Sequence, residues 1–353
     1  LLPGGRDRGT FRLSRTIANE ILTEKSAILI GNPRQDPRFA EQQSIIMSEL
    51  TSAMAVPLFD EGKVLGILYV DTTNPVHQYN DDYLRLLATF GNIIASRLLN
   101  YTLIQERQEK KIYDAELRRA SEIQKNLLRT VNPEVPGYQV NAFQVPCRAV
   151  GGDLYDIEQL PDGRLALIVA DVSGKGLGAA LLMANILASF RILYNVSEFS
   201  LTEVVSLVSE QLFNCSTSSD FATLFVGVLD PKKHELAYIN AGHNPPLLVR
   251  ADGQREYLHA SGTMIGAFNI NTWSEARTSL KPGDLLYVFT DGVTEAERDD
   301  EQYSEERMGK AVCREAMKSP NDLVEALMAD IENFLQYAPR TDDITTLAVK
   351  RTE

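Results

Sequence analysis

Four times in this sequence an apolar run of strand character meets aspartate beside glycine or a second acid. The stretches are VGGDLYD with Asp153, IVADVSGKG with Asp171, YVFTDGVTE with Asp291, and RTDDITT with the pair Asp342-Asp343. An ionised carboxylate at the end of a buried strand costs free energy unless a cation compensates it. A single such residue reads as a turn or cap. Four of them constrain the fold, because converging strand ends bring mutually repelling carboxylates together, and bound cations make that tolerable. All-oxygen ligation favours Mg²⁺ or Mn²⁺ over zinc. Two such ions orient and deprotonate a water and neutralise a phosphoryl oxygen, so the reaction class suggested is hydrolysis of a phosphate ester.

The segment DVSGKGLGAALLMA fits beside such a site. Gly174, Gly176 and Gly178 let the chain turn tightly and pass close to the metals, and AALLMANILASF then reads as a helix. A P-loop fails, because GxxxxGK[ST] needs Ser or Thr after Lys and Gly176 follows Lys175. Lys175 reads as a solvated loop lysine, with phosphate binding as the alternative. Of the four histidines, His243 in NAGHNPP stands out; it reads as a turn histidine, with general acid as the alternative. No GxSxG elbow, HxxxH pair or CxxC is present.

Along the chain, LSRTIANEILTE (13–24) reads as a helix and SAMAVPLFDEGKVLGILYVD (52–71) as a hairpin turning at Asp60-Glu61-Gly62. DDYLRLLATFGNIIASRLLN returns as a helix capped by Asp81 or Asp82. This is an α+β domain over 1–98 whose start, LLPGGRDRG, looks clipped. From 99 to 131 the chain is charged and helical. Its positions 99, 103, 106, 110, 113, 117, 120, 124 and 127 follow coiled-coil spacing, though three of them are polar. From 132 to 353, strand runs joined by short turns alternate with long helical runs, giving an α+β fold with helices on the faces of antiparallel sheet. The net charge of −13 argues against nucleic-acid binding, and no apolar run approaches the roughly 20 residues of a membrane span. Three scattered cysteines indicate no disulfide framework, and the expected location is the cytoplasm.

IQKNLL, VGGDLYD, ADVSGKGLGAALLMA, DFATLFVGVLD, INAGHNPPLL, FTDGVTEA and TDDITTLAVK occur in this order over about 230 residues. They resemble the bacterial serine/threonine phosphatases of the PPM (PP2C-like) class, in the branch that regulates sporulation and stress-response sigma factors. The resemblance implies a β-sandwich flanked by helices, two or more Mn²⁺ or Mg²⁺ ions, and a metal-bound water attacking phosphoserine or phosphothreonine. It implies Asp153, Asp171, Asp291 and Asp342 as catalytic metal ligands, with Asp171 bridging and the Val172 carbonyl as a further ligand. Asp343 is the alternative to Asp342, since neighbours in a strand face opposite ways. Ser173 stands where the wider class has histidine, and Arg129 where the branch often has proline.

SAMAVPLFDEGKVLGILYVD and the helix after it resemble a GAF sensory domain, which implies a small-molecule ligand or a dimerisation platform. The expected assembly is a homodimer. Its signal would pass through SEIQKNLLRT, where Ile123, Leu127 and Leu128 are the regulatory candidates. The implied substrate is a phosphorylated anti-sigma-factor antagonist. Two rival readings stand beside this one: a nucleotidyl or diguanylate cyclase, against which GGDLY departs from GG[DE]EF, and a catalytically silent dimeric sensor.

Overall fold

The structure is a computed structural model that describes residues 15–33, 36–37, 50–60, 63–128, 133–194, 200–217, 219–269 and 273–353. The LLPGGRDRG start, the turn residues Glu61 and Gly62, and Arg129 lie outside the described residues. The chain divides into two compact units, Leu1–Tyr113 and Asp114–Glu353.

In the first unit, α1 (Arg15–Glu24) precedes a three-stranded antiparallel sheet of β1 (Ile28–Ile30), β2 (Ser52–Asp60) and β3 (Lys63–Thr72). The central strand β2 is apolar at successive positions because both of its faces are covered. Ala53 and Ala55 pack with Ile21, Ile28 and Ile30 on one side, and Met54 and Val56 pack with Leu87 on the other. Leu87 belongs to α2 (Asp81–Leu127), a single helix of 47 residues that starts inside the region read as sensory domain and runs through the expected linker. Its cap differs from the expectation. The Asn80 side chain accepts from the Tyr83 amide at 3.1 Å, so Asp81 and Asp82 occupy the first turn.

The second unit is a sandwich of two five-stranded antiparallel sheets. One has the order β10 (Arg255–Tyr257), β9 (Leu247–Val249), β12 (Leu285–Phe289), β15 (Ile344–Arg351), β4 (Tyr138–Val145). The other has the order β11 (Ala276–Ser279), β8 (Glu235–Ala241), β7 (Ala222–Asp230), β6 (Leu165–Val172), β5 (Leu154–Gln159). Leu286, Val288, Leu347 and Val349 of the first sheet join Leu167, Val169 and Phe225 of the second in one core. Leu285, Tyr287 and Phe289 point the other way, into a second core beneath α6 (Glu305–Glu315) and α7 (Pro320–Leu335). LLYVF is therefore apolar throughout because it is buried on both faces. On the opposite side, α3 (Leu177–Leu193) and α4 (Leu201–Cys215) pack on the β6 and β8 sheet. A hairpin of β13 (Glu297–Arg298) and β14 (Glu301–Gln302) follows α5 (Asp291–Thr294). Helices thus flank the sandwich as expected. The sequence reading missed β1, β5, β10, β11, β13, β14, α5 and α6, which are short or carry charge inside the run.

Candidate active site and metal centre

One end of the sandwich gathers the aspartates. Asp153 immediately precedes β5, Asp171 is the penultimate residue of β6, Asp291 opens α5 just after β12, and Asp342 lies two residues before β15. Antiparallel pairing puts these positions at the same end, since Leu154 faces Ala170 across β5 and β6. Phe289 likewise faces Thr346 across β12 and β15. The carboxylates feel one another. Burial raises Asp153 well above the usual carboxylate range, with the Asp171 charge adding to it. Asp171 is raised by burial and then by Asp342 and Asp343, although a hydrogen bond with Asp153 opposes this. Asp291 is pushed up to about 7 by burial, Asp171 and Asp342.

Asp342 and Asp343 take different roles. Asp342 Oδ2 lies 2.7 Å from Lys175 Nζ, which also donates to the Thr341 carbonyl at 2.6 Å. Lys175 is an exposed loop lysine, as read from the sequence, and it also pairs with Asp342 at the site's edge. Asp343 is buried and turned towards the loop before β5, where its oxygens accept from the amides of Cys147 (2.7 Å) and Gly152 (2.8 Å). It buttresses the loop that carries Asp153. Cys147 Sγ, Asp342 and Asp343 also offer ligand atoms within 4.8 Å of one another, but burial and the Asp343 charge push the thiol up to about 11. In the metal-free chain the thiol therefore keeps its proton.

Gly174 and Gly176 have φ of 86° and 85°, so the tight turn expected there needs them. The close backbone approaches within the chain lie elsewhere, at Gly151, where a Cβ would collide with Asp343 Oδ2, and at Gly152, where it would sit 2.7 Å from the Val172 carbonyl. Gly292 is tighter still against the Asp343 carbonyl.

His243 is buried, with Nδ1 2.8 Å from Thr223 Oγ1 and its amide bonded to Asn240 Oδ1. Burial lowers it to about 4, so it is neutral near pH 7, which matches the structural reading. Ser173 is structural too, its Oγ accepting from the Phe221 amide at 2.9 Å.

Several supporting residues escaped the sequence reading. Thr290 Oγ1 donates to Asp153 Oδ2 at 2.7 Å. Gln124, near the end of α2, clasps Gly151 from both sides: Nε2 donates to its carbonyl at 2.7 Å and Oε1 accepts its amide at 3.1 Å. Arg191 of α3 makes a two-pronged pair with the fully buried Asp156 (2.9 and 2.8 Å) and donates to the Leu127 carbonyl at 2.9 Å. Asp156, the second acid of VGGDLYD, was the available signal. Of the regulatory candidates, Leu128 is buried, Leu127 packs partly against the same core, and Ile123 is 54% exposed.

The donor set suits hard divalent cations. Four carboxylates press on one another, three of them raised by burial and by their neighbours' charge, with one ammonium at the rim.

A two-sheet sandwich flanked by helices is the fold of the PP2C-type phosphatase domain. Within that class, the stage II sporulation protein E (SpoIIE) family profile matches residues 161–352, and the chain belongs to that family. A GAF-domain profile matches residues 2–98, so a GAF domain stands ahead of the phosphatase domain. Among curated relatives, the phosphoserine phosphatase RsbU of Bacillus subtilis is 26% identical over 292 residues, covering 82% of this chain and 84% of RsbU. Protein IcfG of Synechocystis is 27% identical over 280 residues, covering 71% of this chain but 44% of IcfG, so the chain spans less than half of that relative. The RsbU and RsbW domains of Rv1364c from Mycobacterium tuberculosis align with a TM-score of 0.55 at 28% identity, over 64% of this chain and 63% of that one. The SiaA-PP2C domain of Pseudomonas aeruginosa aligns with a TM-score of 0.61 at 21% identity, over 70% and 99%, and this likeness concerns the fold alone.

Proposed function

We propose that this chain removes phosphate from phosphoserine or phosphothreonine on a partner protein, an anti-sigma-factor antagonist. The observation that carries the reading is the convergence of Asp153, Asp171, Asp291 and Asp342, from four separate elements, at one end of the sandwich. In this reading the four carboxylates and the Val172 carbonyl hold two or more Mn²⁺ or Mg²⁺ ions. Such ions, when bound, neutralise charge on the phosphoryl oxygens and lower the pKa of water. Thr290 keeps the Asp153 carboxylate oriented, and Asp343 holds the Gly151-Gly152 loop rather than a metal. The name phosphoserine phosphatase borne by RsbU supports the substrate class.

Regulation in this reading starts from the GAF domain, through a small ligand or a change in pairing of two identical chains, and travels along α2. Gln124 grips the loop that presents Asp153, and the Leu127 carbonyl is bound to Arg191, so a shift at the end of α2 pulls on both. Among the described residues no helix is long and apolar enough to cross a membrane.

The test is phosphate release from phosphoserine and phosphothreonine peptides with and without Mn²⁺, beside incubation with GTP and ATP. Metal-dependent release is expected. A cyclic nucleotide product without peptide dephosphorylation would favour the cyclase reading, and inertness on all substrates the silent sensor.

A further inference from the structure

Both oxygens of Asp342 are engaged within the chain. Oδ1 accepts from the Asp343 amide at 2.9 Å, and Oδ2 takes the Lys175 ammonium at 2.7 Å. The amide belongs to the backbone that leads into β15, whereas the ammonium ends a flexible four-carbon stem. A divalent cation that takes Asp342 as a ligand displaces the lysine and leaves the amide in place, because two cations on one carboxylate repel each other.

Departure costs Lys175 little. The two side chains keep 36% and 33% of their surface exposed, and an ion pair so exposed adds little to stability. The lysine's other bond, to the Thr341 carbonyl at 2.6 Å, is exposed too, so water can replace both. There is room to swing as well. Lys175 stands between Gly174 and Gly176, and among the described residues a Cβ on the first would meet nothing within 4 Å and one on the second only Arg148, at 4.0 Å.

We propose that Lys175 is a phosphate-binding residue, which rests on Asp342 in the metal-free chain and turns to the phosphoryl group of the substrate when Asp342 takes a cation. This role presupposes the catalytic reading above and adds to it a cation of the chain's own. The group brought to the ions in that reading is a phosphate monoester, with about two negative charges and three acceptor oxygens. An ammonium at the edge of the site answers it with charge-assisted hydrogen bonds. Lys175 thereby acts in opposite directions on two ligands: it competes with the metal for Asp342, and it holds the phosphate. A lysine that only braced Asp342 would act in one direction, since its loss would weaken the binding of both.

The test is a pair of calorimetric titrations of the full chain, first with Mn²⁺ and then, at saturating Mn²⁺, with inorganic phosphate. The chains compared are the native sequence, Lys175→Met and Lys175→Arg. In Lys175→Met, Mn²⁺ should bind about threefold more tightly, the pair that opposes it being gone. Phosphate should bind that chain about tenfold more weakly, for the loss of a hydrogen bond from a charged group. Lys175→Arg keeps the charge and should hold phosphate within about threefold of native. Far-UV circular dichroism checks the fold, and Lys175→Gln is the second neutral variant should Lys175→Met fail to fold. Mn²⁺ affinity equal to or weaker than native in the neutral variants, or phosphate affinity equal to native, would overturn the role. Heat reports both affinities without turnover. A chain with the expected affinities that releases no phosphate from p-nitrophenyl phosphate would therefore count against the catalytic reading alone, and a native chain that binds no Mn²⁺ against both.

Discussion

Asp291 shows how the candidate site trades stability for binding. Its carboxyl titrates near 7 in the folded chain against an ordinary 3.8, so the native state holds a proton that the unfolded state has released. The stability this confers is complete below pH about 4 and is lost as pH rises through 7. Asp153, raised by the same causes, acts in the same direction. The metal-free chain should therefore melt several degrees lower at pH 8 than at pH 5, and saturating Mn²⁺ should remove or reverse the difference in a calorimetric scan. For the same reason Asp153→Asn should raise the melting temperature of the metal-free chain, by about 2–4 °C for each kcal/mol of repulsion relieved, while weakening Mn²⁺ binding. At this scale the four aspartates were legible, because an acid at a strand end conflicts with burial and so calls for an explanation. The division of labour between Asp342 and Asp343 was not, since alternation says that they diverge without saying which faces the site. Nor was the pairing of Lys175, which depends on a residue 167 positions away.

The elements around the site depend on contacts remote in sequence. Gln124 joins α2 to Gly151 by two hydrogen bonds, each worth about 1 kcal/mol net. Gln124→Ala should leave far-UV circular dichroism unchanged and weaken Mn²⁺ binding about tenfold in a calorimetric titration. An unchanged affinity would detach α2 from the site. Asp156→Ala removes both prongs of the pair while the part-exposed Arg191 keeps the Leu127 carbonyl, so a loss of about 1.5–3 kcal/mol is expected, which urea unfolding would register. Gly151→Ala should be comparably disruptive, because its Cβ would collide with the carboxylate that holds the loop. The long strands were read from apolar runs to within a residue or two, as in YQVNAFQV and LALIVADV. β5 was not, because Asp156 and Glu158 break its apolar pattern, and Asp156 is buried only by virtue of Arg191 on another element. The uninterrupted run of α2 was hidden for a different reason. Its composition changes from apolar to charged near residue 99, which looks like a boundary, although nothing in the backbone stops the helix there.

At the scale of the whole molecule, a GAF domain, one long helix and a PP2C-type phosphatase domain follow one another in the chain. The order was legible because each part has its own pattern: a hairpin between helices, a charged run without Gly or Pro, and strands that end in acids. Recognition of a substrate or of a small ligand is a property of surfaces, where residue type follows no internal periodicity. The central claim is that the gathered aspartates form a metal-dependent phosphatase site, and Asp171 tests it most directly. Mn²⁺ titration of the full chain should be followed both by heat and by phosphate release from p-nitrophenyl phosphate, for the native sequence and for Asp171→Asn. The account predicts saturable binding and metal-dependent release in the native chain. In Asp171→Asn, binding should weaken at least tenfold and release should fall by two or more orders of magnitude, with the fold retained. Equal Mn²⁺ binding and equal release in the two chains would contradict it.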